Sequence, residues 1–151
     1  MRKMQFMSVL SLIFLLIGHS VLAAETKKVE FFGVGATVTE LANQEFKVET
    51  KGEKEGEGFV HTPSAPTSTT VKYKVTLKGT GNVYLKIEET DARGTFLNEV
   101  KSEEIQLTDE WKEYELDAKI ASTQSQLDVF VLTSTKQAME FLFKNAEVLN
   151  E

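Results

Sequence analysis

The chain has 151 residues, 17 Lys and Arg against 23 Asp and Glu for a net charge of −6, 41% hydrophobic residues and no cysteine. Lysines scattered among a majority of carboxylates exclude the basic, aromatic-interleaved stripe that a nucleic-acid groove needs, and they disfavour anionic membrane surfaces. Without cysteine there is neither a disulfide framework nor a lipoprotein tether, so the fold has to hold through its own apolar core.

The first residues, MRKMQFMSVLSLIFLLIGHSVLAA, place Arg2 and Lys3 ahead of an apolar run from Phe6 to Ile17 and end on small residues. This is the pattern of a secretory signal peptide, residues 1–24, and the run is short for a membrane span. Val21 and Ala23 suit cleavage ahead of Ala24 or Glu25. Cleavage removes two basic residues and no acidic ones, leaving 15 against 23 and a net charge of −8. About 127 residues then remain, 25–151, enough for one domain. A secreted, extracellular protein with no stable membrane insertion is expected. The absence of disulfides points to the exterior of a Gram-positive bacterium.

Beyond the leader no segment repeats apolar residues at helical spacing; short alternating runs recur instead, which predicts strands. KVEFFG near Phe31, ATVTE near Val38, QEFKVET around Phe46 and GFVHT around Val60 are the first of them. KGEKEGEG, residues 51–58, reads as a solvated charged loop, and HTPSAPTSTT, residues 61–70, which carries both prolines, as a surface connection. TTVKYKVTLK then puts Val71, Tyr73, Val75 and Leu77 on one face, with Thr70, Lys72, Lys74 and Thr76 on the other. After GTGN, NVYLKIEE turns Val83, Leu85 and Ile87 inward and Tyr84, Lys86 and Glu88 outward, so the two runs are expected to form a hairpin. WKEYELDAKI, QLDVFVLT and AMEFLFKNAEVL complete nine or ten strands, which fit a sandwich or a barrel.

Four of these stretches, YKVTLKGTGNVYLKI, LTDEWKEYEL, QLDVFVL and FLFKNAEVL, in this order and spacing from Val71 to Val148, resemble the carbohydrate-binding modules of the galactose-binding-like jelly-roll superfamily, the group found beside cellulases and xylanases. QEFKVET is compatible with an early strand of that group. The resemblance implies an all-β, two-sheet antiparallel jelly-roll sandwich without catalytic activity, whose partner is a polysaccharide or cell-wall glycan. It also implies that Trp111 packs as an amphipathic wedge at a sheet edge rather than serving as a sugar platform. Many members hold calcium through an aspartate opening the polar pair of the closing strand; here the pair is Lys144 and Asn145, and an ammonium repels a cation. No cofactor and no metal at that pair are expected, and the acidic run with Glu53, Glu55 and Glu57 reads as solvated.

A sugar is held by an aromatic ring against its C–H face and polar groups around its hydroxyls. Parity selects Tyr84 and Lys86 on one strand, and Asp128 and Phe130 on another, as the candidate ligand-binding set. The competing reading packs Tyr84 or Phe130 beneath loops or the N-terminal segment. Phe59 and Phe96, in turn-rich regions, are second choices for a loop-end site. His61, the one histidine beyond the leader, has no cysteine partner and reads as surface decoration. Adjacent carboxylates such as Glu88 and Glu89, or Glu103 and Glu104, point to opposite faces of a strand and cannot clasp one glycosidic bond. A structural or protein-interaction sandwich of the cell surface or matrix, meeting a surface protein, is the alternative function.

Overall fold

Side-chain burial switches residue by residue along the strands, as the alternation in the sequence requires. The computed structural model describes residues 29–151; the expected leader, residues 1–24, lies outside the described residues. Eleven strands run through these residues: β1 (Phe32–Val34), β2 (Ala36–Glu40), β3 (Phe46–Thr50), β4 (Gly58–His61), β5 (Thr70–Gly79), β6 (Asn82–Thr90), β7 (Phe96–Lys101), β8 (Ile105–Gln106), β9 (Lys112–Lys119), β10 (Gln126–Thr133) and β11 (Glu140–Asn150). They form two antiparallel sheets. The first has the order β1-β4-β10-β6-β7, with β8 also paired to β6, and the second the order β2-β3-β11-β5-β9. This is the two-sheet jelly-roll sandwich expected from the alternation and the resemblance.

The core lies between the facing sheets. Val83, Leu85 and Ile87 of β6 and Leu127, Val129 and Val131 of β10 meet Val71, Tyr73, Val75 and Leu77 of β5 across it. At one end the filling is aromatic: the Phe143 ring stacks on Phe59 at 3.8 Å and on Phe46 at 4.9 Å, and Phe31 sets its edge against all three.

The structure corrects four expectations. β5 and β6 do not form a hairpin, since β5 pairs with β9 and β11 and β6 with β7, β8 and β10. The glycine turn between them is an arch from one sheet to the other. Its backbone bonds go elsewhere, from Gly79 N–H to the Thr108 carbonyl and from Leu107 N–H to the Gly81 carbonyl. Arching turns the two apolar faces toward each other across the core, whereas a hairpin sets them side by side. Second, β7 and β8 are strands the sequence pattern misses, because β7 lies at a sheet edge and offers the core only Val100, half-buried. Third, Phe59 is fully buried at the centre of the aromatic stack, not in a loop. Fourth, His61 is buried beside Phe31, and its Nδ1 bonds to the Glu30 carbonyl at 3.0 Å.

The charged loop needs a correction of its own. Glu57 is 1% exposed. Its carboxylate accepts the backbone N–H groups of Gly52 at 2.7 Å, Glu53 at 2.9 Å and Lys54 at 3.1 Å, so the loop is wound around it. Burial raises the carboxyl's pKa, but the backbone donors outweigh burial and leave it below the ordinary value.

Candidate functional site

In an antiparallel ladder, residues opposite each other share a face, so the registers list what stands on the outer face of the first sheet. Lys86 of β6 is opposite Phe130 of β10 and Lys101 of β7; Phe130 is opposite Val60 of β4, and Val60 opposite Phe32 of β1. One row therefore crosses the whole sheet as Phe32, Val60, Phe130, Lys86, Lys101. Beside it runs a row of carboxylates, Asp128, Glu88 and Glu99. Tyr84 stands on the other side of the first row, opposite Leu132.

The four residues selected from the sequence thus lie on adjacent strands of one face. Phe130 and Lys86 meet directly, with the ammonium 4.1 Å above the ring centroid. Lys86 is held there by Glu88 at 2.8 Å and Glu99 at 3.9 Å, and Lys101 reaches Glu99 at 2.8 Å. The hydrogen bond from Lys101 is the largest influence on the Glu99 carboxyl and lowers its pKa; burial opposes it, and the charges of Lys101 and Lys86 add to the hydrogen bond and leave the group below its ordinary value. The Thr62 hydroxyl donates to the Asp128 carboxylate. Tyr84 is half-buried and reaches toward the Glu57 loop, where a Cβ on Gly56 would stand 3.8 Å from its hydroxyl. Neither Tyr84 nor Phe130 is sealed beneath loops.

Phe32 is the member the sequence reading missed, and at 57% exposure it is the most open large apolar side chain of the face. The signal was the Phe31–Phe32 doublet: on a strand the two rings must part, and here Phe31 enters the core while Phe32 faces out. Two strand spacings, about 10 Å, separate the backbones of Phe32 and Phe130. Phe96, 55% exposed, stands opposite Thr90 at the far edge, away from this row.

The outer face of the second sheet differs. Lys47, Lys72 and Lys74 are engaged by carboxylates of neighbouring strands, and Lys144 by Glu45, just ahead of β3. Its aromatic, Trp111, sits half-buried just ahead of the edge strand β9, with Lys144 Nζ 4.2 Å over the ring and Lys78 Nζ at 6.0 Å. Among the described residues no three His, Asp or Glu side chains converge to hold a metal ion, and no helix is long and apolar enough to cross a membrane.

Comparison with known proteins places the architecture among jelly-roll sandwiches. No protein-family model and no curated sequence matches the chain. Among solved structures it is similar to an alanine-for-lysine variant of the CBM29-2 carbohydrate-binding module complexed with cellulohexaose, with TM-score 0.60 and 15% identity over 80% of this chain and 78% of that one. It is also similar to the family 11 carbohydrate-binding module of the cellulase Lic26A-Cel5E of Clostridium thermocellum, with TM-score 0.58 and 11% identity over 83% and 84%. An arabinose-bound GH51 α-L-arabinofuranosidase matches with TM-score 0.55 and 12% identity over 79% of this chain, a region that is 23% of the enzyme. At these identities the likeness is one of fold.

Proposed function

We propose that the protein is a secreted, non-catalytic glycan-binding module whose ligand lies along the outer face of the first sheet. The observation that carries this reading is the row Phe32, Val60, Phe130, Lys86, Lys101, in which open aromatic and aliphatic surface adjoins fixed charged donors and acceptors. A neutral polysaccharide matches both parts, its C–H faces on Phe32 and the rim of Phe130 and its hydroxyls on Lys86, Asp128 and Tyr84. Three carboxylates against two ammonium groups in the two rows disfavour a polyanionic sugar. The modules of like fold support the ligand class. The expected leader puts the site on the cell exterior.

Catalysis has no support in the geometry. Asp128, Glu88 and Glu99 stand in one row on one surface, so all three would meet a ligand from the same side. A glycosidase places its two carboxyl groups on either side of the scissile bond. Each of these three is also bound to a neighbour, Thr62, Lys86 or Lys101.

The test is retention of the purified protein on insoluble cellulose, mannan, xylan, chitin and peptidoglycan. The wild type is expected to be retained on at least one, and Tyr84→Ala and Phe130→Ala to be released while their circular dichroism is unchanged. A wild type that washes through all five overturns the reading and favours the protein-interaction alternative.

A further inference from the structure

β11 is long, and only part of it is paired on both sides. β3 pairs with Glu140 to Phe143 and no further, because the chain ahead of Phe46 turns aside through Asn43 and Gln44, both in the left-handed region at φ 59°. β5 follows the other side of β11 as far as Asn150, through a register shift between Lys144 and Glu147 that contains Asn145 at φ 52°. The Glu151 N–H donates to the Thr70 carbonyl at 3.0 Å. That bond fixes the alternation beyond the register shift: Glu147, Leu149 and Glu151 turn their backbone groups toward β5, and Val148 and Asn150 turn theirs to the side that β3 has left. Among the described residues no strand pairs with that side and no other hydrogen bond takes up the N–H groups of Val148 and Asn150.

These residues border a groove of about 660 Å³. Its floor is apolar: Ala146 and Val148 pack against the core, and His61 lies buried beside them. The Pro63 to Pro66 segment and the segment from Val29 to Phe32 form its sides. Glu30 and Glu147 are among its lining residues, and no lysine or arginine is. Lys74, opposite Glu147 in the register, is engaged by Glu113 at 3.0 Å and Glu115 at 3.6 Å.

We propose that this groove receives an extended peptide segment of another protein, alternating apolar and basic side chains, which docks as a further strand on the unpaired half of β11. Donors and acceptors repeating every second residue match a peptide backbone, whose own groups repeat at that spacing; sugar hydroxyls do not. Pairing sets alternate side chains of the peptide over the apolar floor and the others beside Glu147, which is why the basic set is specified. The site is separate from the proposed glycan row, sharing only Phe32 at its border.

The experiment uses the chain without residues 1–24 and an eight-residue acetylated, amidated peptide alternating valine and lysine. Titration calorimetry is expected to show binding that Glu147→Lys weakens several-fold and Val148→Pro weakens at least tenfold, since proline deletes one N–H facing the groove and leaves the β5 side bonded. Because Val148→Pro also endangers the strand itself, hydrogen–deuterium exchange on the wild type decides. Val148 and Asn150 amides are expected to exchange quickly and Leu149 and Glu151 slowly, and the peptide is expected to protect the first pair. Protection of Val148 and Asn150 in the free protein, peptide binding that leaves them unprotected, or their protection by a soluble polysaccharide overturns the proposal.

Discussion

Replacing Phe32 by alanine probes the glycan row at the member that contributes least to the fold. The ring is 57% exposed, which for a phenylalanine of about 200 Å² leaves about 110 Å² open to a ligand. A pyranose lying on one side of the ring covers about half of that, and ~55 Å² at about 25 cal/mol per Å² amounts to about 1.4 kcal/mol. Phe32→Ala is therefore expected to raise Kd about tenfold. The part of the side chain already covered, about 90 Å² less what the alanine methyl keeps, bounds the loss of folding stability at about 2 kcal/mol. The melting temperature should fall by several degrees and the protein should remain folded. Affinity electrophoresis in gels containing the soluble form of whichever polysaccharide retains the wild type measures Kd, and a thermal melt runs beside it. Phe96→Ala is the matched control, since that ring is 55% exposed but stands off the row, and its Kd should stay within twofold of the wild type. A Phe32→Ala variant that binds like the wild type, or an equal loss in Phe96→Ala or Trp111→Ala, would refute the assignment of the row.

The remaining predictions concern the scaffold. Tyr73 is fully buried, its hydroxyl has no hydrogen-bond partner among the described residues, and burial alone drives its pKa upward; Tyr73→Phe is expected to raise stability by about 1 kcal/mol, seen as a higher denaturant midpoint at unchanged slope. Phe143→Ala opens the aromatic stack between the sheets and is expected to cost about 4 kcal/mol by the same measurement. Acid should lower stability in two windows. Burial holds the His61 pKa below its ordinary 6.5, against smaller opposing effects of the Glu30 carbonyl and Asp128. The unfolded chain therefore takes up that proton first, and stability falls as pH drops from about 6.5 through the folded value. Glu57, whose folded pKa also lies below its ordinary 4.5, adds stability that is complete above that value and is lost as pH falls through the folded one. His61→Gln should remove the upper descent and Glu57→Gln should reduce the lower; a Glu57→Gln profile that superimposes on the wild type would contradict the role given to the loop donors.

What could be read from the sequence was parity. It sent Val83, Leu85 and Ile87 inward with Tyr84 and Lys86 outward, and it did the same for Leu127, Val129 and Val131 against Asp128 and Phe130. Parity does not say which strand lies next to which. It left the β5–β6 turn open to two outcomes, hairpin or arch, because both bury the same residues; the difference lies in whether β5 meets β6 edge to edge or face to face. Glu57 was illegible for a related reason. Glu53, Glu55 and Glu57 have the same local composition, and only the course of the backbone decides that the third turns inward to meet the amides of Gly52, Glu53 and Lys54.

The same distinction governs the candidate site. Lys86 sits over Phe130 because β6 and β10 are neighbours in a register that sets these two residues opposite, 44 positions apart in the chain, and Phe32 joins them only because β4 comes between β1 and β10. A slip of one residue between β6 and β10 would set an outward residue of one strand against an inward residue of the other and carry core side chains to the solvent. The fully buried Val129 and Val131 resist that slip, as do Leu85 and Ile87 opposite them. The burial that stabilises the sandwich therefore also holds the binding row in line. A variant that loosens this part of the core, such as Val131→Ala, should weaken glycan binding without touching a residue of the outer face, and Leu77→Ala, on the facing sheet, should lower stability with a smaller effect on Kd.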